Sequence, residues 1–95
     1  MAKIDLESLI KRGDDVPWKE MAEEGILLNL HTGDYFTVNE VGLFIWKSLD
    51  GTKNLEGIAQ EISSRYDIDA ATASSDLLKF AKILHNKNIV TLRRS

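Results

Sequence analysis

Residues 25–50, GILLNLHTGDYFTVNEVGLFIWKSLD, carry the clearest structural pattern in this chain. Ile26, Leu28 and Leu30 alternate with Leu27 and Asn29, which is the pattern of a strand. Gly33 then supplies the positive φ angle that a tight turn needs, and aromatic and β-branched residues over 35–38 predict a second strand. An asparagine, which is a good N-cap, opens a helix predicted over 39–49. The segment therefore predicts a hairpin that leads directly into a helix.

A further strand is predicted before this hairpin. Pro17 stands beside Trp18 in a short apolar run, and proline occurs in sheets mainly at edges or strand starts. The three strands, at about 16–22, 25–31 and 34–38, are joined by short turns and should form an antiparallel meander. The strand at 34–38 is then an edge strand.

Three helices should follow the meander. Apolar periodicity predicts a second helix over 55–66, a break at 67–69 and a third helix over 70–86, and residues 89–92 could form a short closing strand. The first helix should bury a stripe formed by Val41, Phe44, Ile45 and Leu49, with Trp46 half-buried beside it. The third should bury Ala73, Leu77, Phe80, Ala81 and Leu84, with Ile83 at the margin. The predicted fold class is α+β and winged helix-turn-helix-like.

Size and composition limit the classes of function. The 95 residues make one domain, in which 43% hydrophobic residues can fill one modest core. The net charge of −3 argues against nucleic acid and anionic membranes as partners. The absence of cysteine fits a reducing, cytoplasmic compartment. Because the N-terminus has no long apolar run, we expect neither a signal peptide nor a transmembrane segment.

The expected domain organisation has three parts. Residues 1–15 are rich in charge and should form a flexible or loosely docked arm. Residues 16–92 form the globular domain, and 93–95 form a basic tail. An edge strand and a loose arm would each permit a homodimer.

The sequence lacks the residue patterns of a catalytic or metal site. His31 and His85 are isolated, with no cysteine and no second histidine at ligand spacing. The glycines form no phosphate-binding loop, and the serines have no neighbouring histidine that could activate a nucleophile. We therefore expect no metal, no cofactor and no enzymatic activity.

The predicted helix-turn-helix over 55–86 raises DNA binding as an alternative function. A recognition helix usually presents arginine, lysine, asparagine or glutamine near its N-terminus. Residues 69–76 read DAATASSD, which is small, neutral or acidic and would repel a phosphate backbone. A structural subunit docked on a larger enzyme, through Trp18 or the N-terminal arm, is a second alternative.

The edge strand at 34–38 suggests peptide recognition instead. One side of an edge strand has unpaired backbone N–H and C=O groups, with which an extended peptide can pair. The margin of the third helix would then form the opposite wall of a groove. The alternative is an edge that is merely short and protected by its twist, and the residue patterns alone slightly favour it.

The central segment resembles the signature of the PqqD family. Residues 27–30 read LLNL, 32–36 read TGDYF and 38–46 read VNEVGLFIW, which matches the family pattern LLN, TG-x-YY and LNE-x-G-x-x-IW without gaps. Phe36 and Val38 stand where tyrosine and leucine are commoner. The resemblance extends over about residues 16–92.

This resemblance implies a function and a site. PqqD proteins are peptide chaperones that bind the precursor peptide PqqA and present it to the radical-SAM enzyme PqqE. The same fold, the RiPP recognition element, captures leader peptides in many pathways that modify ribosomally made peptides. The leader adds a strand to the third strand of the sheet and lies against the third helix. The peptide-binding residues implied here are Asp34, Tyr35, Phe36, Thr37, Val38, Asp76, Lys79, Phe80, Ile83 and Lys87. The implied partners are a leader peptide and a radical-SAM or other peptide-modifying enzyme.

Overall fold

The computed structural model describes residues 3–93, which form six strands and three helices. In chain order these are β1 (Leu9–Arg12), β2 (Trp18–Met21), β3 (Glu24–Leu28), β4 (Tyr35–Val38), α1 (Glu40–Ser48), β5 (Asp50–Asn54), α2 (Leu55–Tyr66), α3 (Ala70–Asn86) and β6 (Val90–Arg93). The α+β prediction is confirmed, with its meander, three helices and closing strand. The first two residues of the predicted arm and the last two of the predicted basic tail lie outside the described residues.

The first sheet is the predicted meander, in the order β2-β3-β4. Leu27, in the middle strand, pairs with Trp18 on one side and Phe36 on the other. Directly opposite residues share a face, so these three side chains all point toward the core. Leu27 is fully buried, and its two neighbours pack against the core from the outer strands. β4 lies at the outer edge, as predicted.

The second sheet, in the order β5-β1-β6, corrects the prediction for the N-terminal segment. For residues 3–15, the prediction of a loosely docked arm is wrong, because β1 is the central strand and Ile4 and Ile10 are buried in the core. β1 has only four residues, and its partners come from distant parts of the chain, so no local pattern indicates the pairing. β5 has the composition of a turn, and Gly51 is its one buried residue.

Arg12 fastens β1 to the end of α1. Its Nη1 atom donates to the carbonyl oxygen of Trp46 at 3.0 Å and to that of Lys47 at 2.8 Å. The last carbonyls of a helix have no partner within the helix, and a cation there also offsets the negative end of the helix dipole. The N-terminal segment therefore stabilises the helix that follows the meander.

The first two helices begin with the same capping arrangement. Asn39 Oδ1 accepts from the Gly42 N–H at 2.8 Å, and Asn54 Oδ1 accepts from the Gly57 N–H at 2.9 Å. Asp69 caps α3 through hydrogen bonds from two backbone N–H groups of its first turn. These caps fix where each helix starts, and the Asn39 cap sets α1 directly after the edge strand.

The helices and the inner faces of both sheets enclose the core. The predicted stripe of α3 is confirmed for Ala73, Leu77, Ala81 and Leu84, which are buried. Phe80 is only partly buried and lies at the margin rather than in the centre. Trp46, expected to be half-buried, is 0% exposed, because α1 is packed between the meander and α2.

Candidate functional site

The outer edge of β4 presents the backbone groups of two residues. The Asn29 N–H donates to the Asp34 carbonyl at 2.8 Å, which places these two residues at a hydrogen-bonding position of the ladder. Hydrogen-bonded and non-hydrogen-bonded pairs alternate along an antiparallel ladder, so Phe36 is the next residue that bonds to β3. The N–H and C=O groups of Tyr35 and Thr37 therefore point away from the sheet. They offer two donors and two acceptors to an added strand.

An open groove lies beside this edge, between β4 and α3. Its volume is about 460 Å³. It is lined by Thr37, Val38, Asn39, Val41, Gly42, Ile45, Ile68, Asp76 and Phe80. Most of these side chains are apolar, and Asp76 supplies a negative charge. The groove can therefore accept an apolar side chain from a strand that lies along β4.

Gly42 allows the walls of this groove to approach closely. A Cβ atom at this position would lie 3.0 Å from Val38 Cβ, 3.3 Å from Asn39 Oδ1 and 3.6 Å from Phe80 Cζ. The absence of a side chain thus lets β4, the start of α1 and α3 meet at one point.

The other end of the site is closed by a contact between α3 and β4. Lys87, which follows α3, places its Nζ atom 4.4 Å from the centre of the Phe36 ring, within the range of a cation–π interaction. The Lys87 backbone carbonyl accepts a hydrogen bond from Asn29 Nδ2 at 3.3 Å. Asn29 is 4% exposed, so this bond is shielded and holds the end of α3 against the hairpin.

The structure brings together most of the residues that the sequence analysis selected. Thr37, Val38, Asp76 and Phe80 line the groove, and Phe36 and Lys87 contact each other at its end. Tyr35 is 70% exposed on the edge strand.

Three further selected residues also lie outside the groove lining. Ile83 is 50% exposed on the margin of α3, and Lys79 is exposed on the same helix. The Asp34 backbone is already engaged, because its N–H donates to Thr32 Oγ1 at 3.2 Å and its carbonyl accepts from Asn29. Asp34 therefore has no free backbone N–H to offer, and its carboxylate is exposed.

Sequence reasoning missed two residues that shape the site. Ile68 lies between α2 and α3 and lines the groove. The sequence pattern predicted it only as part of the break between these helices. Asn29 was one polar position in a strand pattern. The available signal was that this amide directly follows a run of apolar residues. A polar side chain buried at such a position needs hydrogen-bond partners, which indicates a structural link.

The ionisable groups with displaced pKa values lie on β5, in the other sheet. Hydrogen bonds from the Thr52 hydroxyl and N–H lower the pKa of Asp50, and the neighbouring Glu61 carboxylate raises the pKa of Lys53. Across residues 3–93, no group of three potential ligand side chains is placed to hold a metal ion. Nor does that part of the chain contain a helix long and apolar enough to cross a bilayer.

Comparisons with known proteins match this arrangement. Residues 24–90 match the family described as Coenzyme PQQ synthesis protein D (PqqD). A curated relative named PqqA binding protein, from Xanthomonas euvesicatoria pv. vesicatoria (strain 85-10), is 33% identical over 55 residues. That match covers 58% of this chain and 60% of the relative, so the chain spans less than two thirds of the curated relatives' length.

Two solved structures share the fold. TbiB1 in complex with the TbiA(beta) leader peptide is 34% identical with a TM-score of 0.80, covering 90% of this chain and 99% of TbiB1. The PqqD truncation of Methylobacterium extorquens PqqCD, described as a stand-alone RiPP recognition element, has a TM-score of 0.79 at 20% identity. It covers 94% of this chain and 95% of its own. With a family match over most of the length and an edge-and-groove site on the shared fold, this chain belongs to the PqqD family.

Proposed function

We propose that this chain binds the leader segment of a ribosomally made precursor peptide by adding it as a strand to β4. The observation that carries the proposal is the edge itself, where Tyr35 and Thr37 present unpaired backbone groups beside the groove. Backbone pairing would supply affinity, and the groove would select side chains. The 34% identity to a protein solved with a leader peptide bound supports the same occupant.

The choice of β4 over β2, the other edge of the meander, rests on the surroundings of each strand. β4 faces α3 across an apolar groove. β2 carries the exposed Lys19 and Glu20, and Glu20 pairs with Lys47 at 3.1 Å. Charged side chains on an edge strand oppose the addition of another strand.

A peptide held on β4 would remain accessible to a second protein. Alternate side chains of a strand point to opposite faces, so half of the leader's side chains would lie beside Tyr35 and Thr37. The same outer face of the sheet carries Ile26 and Leu28, which pair with Thr37 and Tyr35, and Leu30, in the turn after β3, is 59% exposed. An apolar surface continuous with the bound peptide supports the proposal that the chain presents its leader to a modifying enzyme, radical-SAM or other. We place this encounter in the cytoplasm.

We assign the chemistry to that enzyme and no catalytic step to this chain. Within the described residues, the groove lining has one ionisable side chain, Asp76, and contains no histidine or lysine that could activate a nucleophile. The site is suited to holding a chain rather than to cleaving or modifying it.

An NMR titration tests this function. The isotope-labelled protein would be titrated with leader peptides of precursors encoded beside its gene, and with the same peptides in scrambled order. We expect saturable shifts concentrated at residues 34–38 and along 76–87 with a native leader only. A folded sample that shows no shifts with any neighbouring leader would contradict the proposal. Shifts confined to β2 would move the site to the other edge.

A further inference from the structure

The Lys87 ammonium is an exposed positive charge at one end of the groove. It lies 4.4 Å from the centre of the Phe36 ring, and the ion pairs within residues 3–93 do not include it. Its backbone is held by the hydrogen bond from Asn29 Nδ2 to the Lys87 carbonyl and by the Lys87 N–H, which donates to the Ile83 carbonyl at 3.1 Å. The Lys87 backbone therefore has a defined position, and its ammonium lies over the Phe36 ring without an anionic partner among residues 3–93.

The register of β4 decides which leader side chain meets this charge. Phe36 and Val38 point to the groove side of the sheet, whereas Tyr35 and Thr37 point to the outer face. A strand added at this edge would lie about 4.8 Å away. Its residue beside Val38 would enter the apolar groove, and the residue two positions along would lie beside Phe36 and Lys87. This spacing holds for parallel and antiparallel addition, because side chains alternate in both.

We propose that the groove selects a leader with an aliphatic side chain and, two positions away, a carboxylate. The inference rests on the proposed function and names the substrate class of the same site. The aliphatic group would fill the space between Val38, Ile45 and Phe80. The carboxylate would pair with the Lys87 ammonium, which lies over the Phe36 ring in the free protein. Asp76, near the Val38 end, would disfavour a second carboxylate at the aliphatic position.

The test uses short synthetic peptides, Thr-Ser-Thr-Leu-Thr-Glu-Thr-Ser-Thr and the version with leucine and glutamate exchanged. Each is also made with glutamine or lysine in place of glutamate. Affinities come from chemical-shift titration of the labelled protein. We expect one of the two orders of leucine and glutamate to bind more tightly than the other. In that order, the glutamate peptide should bind about twofold to fivefold more tightly than the glutamine peptide, and the lysine peptide should bind most weakly. Added salt should reduce that difference.

Variants at Lys87 and Lys82 distinguish the effect of the Lys87 charge from the effect of the protein's net charge. Lys87→Gln should abolish the preference, and Lys87→Glu should reverse it in favour of lysine. Lys82→Glu is the matched control, because Lys82 is exposed on a different face of α3 and should leave the ranking unchanged. Both backbone hydrogen bonds at Lys87 survive these substitutions, so the variants should fold.

The possible failures are distinguishable. Equal affinity for the glutamate, glutamine and lysine versions of a peptide, with shifts at residues 34–38, would overturn charge selection and leave strand addition intact. A preference that persists in Lys87→Glu, or a wild-type protein that binds neither glutamate peptide, would also overturn it. The proposed function itself fails only if native leaders do not bind this edge.

Discussion

The side-chain amide of Asn29 donates a hydrogen bond to the carbonyl oxygen of Lys87 at 3.3 Å, and so joins the β3–β4 hairpin to the end of α3. The same side chain accepts from the His31 N–H at 2.9 Å. One buried amide thus holds together the two walls of the groove, the edge strand and the helix. This accounts physically for an asparagine in an otherwise apolar run.

Replacing Asn29 with alanine should reduce stability. The change leaves the His31 N–H and the Lys87 carbonyl without their partner, and a lost buried hydrogen bond costs about 1–3 kcal/mol. Urea denaturation of Asn29→Ala measures the cost. His31→Ala is the control. Because the His31 side chain is exposed, this change should lower the free energy of unfolding by less than about 0.5 kcal/mol. Equal stability of Asn29→Ala and the wild type would show that the link is not made in solution.

Ile10→Ala tests whether the N-terminal strand belongs to the core. Ile10 is 1% exposed in the central strand of the second sheet, and truncating a buried isoleucine costs about 2–5 kcal/mol. Lys11→Ala, in the same strand but exposed, should change the free energy of unfolding by less than about 0.5 kcal/mol. If both substitutions proved equally mild in thermal and urea unfolding, the segment would be a loose arm after all.

Proline substitutions on β4 distinguish its two sides. The Thr37 N–H points outward, so Thr37→Pro should leave the ladder to β3 intact, fold, and bind a native leader about tenfold more weakly. Phe36→Pro removes a donor that the sheet itself uses, together with an aromatic ring, and should unfold the domain. Thr37→Val keeps the N–H and should bind as the wild type does. Normal leader binding by folded Thr37→Pro would place the peptide elsewhere.

Two glycines at equivalent helix positions should respond in opposite ways to alanine. Gly42 and Gly57 each donate to a capping asparagine. A Cβ on Gly42 would meet Val38 Cβ at 3.0 Å, so Gly42→Ala should cost about 1–3 kcal/mol and weaken leader binding. A Cβ on Gly57 would meet only Asn54 Oδ1 at 3.4 Å, and Gly57→Ala should stabilise the protein by about 0.5–1 kcal/mol. Similar free energies of unfolding for the two variants would contradict this account.

The predictions made from sequence succeeded where structure follows from neighbours in the chain. The tight turn at Gly33 and the capping residue Asn39 correctly indicated the meander's hairpin and the start of the first helix. The apolar stripe of α3 depends on helical periodicity, which is also local. The edge position of β4 followed from the order of three short-looped strands.

Long-range contacts were beyond the reach of the sequence patterns. β1 is four residues long and pairs with strands that lie far along the chain, so it resembled a charged arm. Trp46 was expected at half-exposure, because helical periodicity cannot show that a helix is packed on more than one side.

The sequence by itself determined that a hairpin ends in an exposed edge strand. It also determined that the third helix carries lysines along its margin. Alternation and helical periodicity encode both features in adjacent residues. Only the tertiary structure decided that Asn29 reaches Lys87, that Lys87 lies on Phe36, and that Tyr35 and Thr37 hold the outward backbone groups. Those relationships depend on how the hairpin and α3 pack together and on the hydrogen-bond register between β3 and β4, neither of which a one-dimensional pattern specifies.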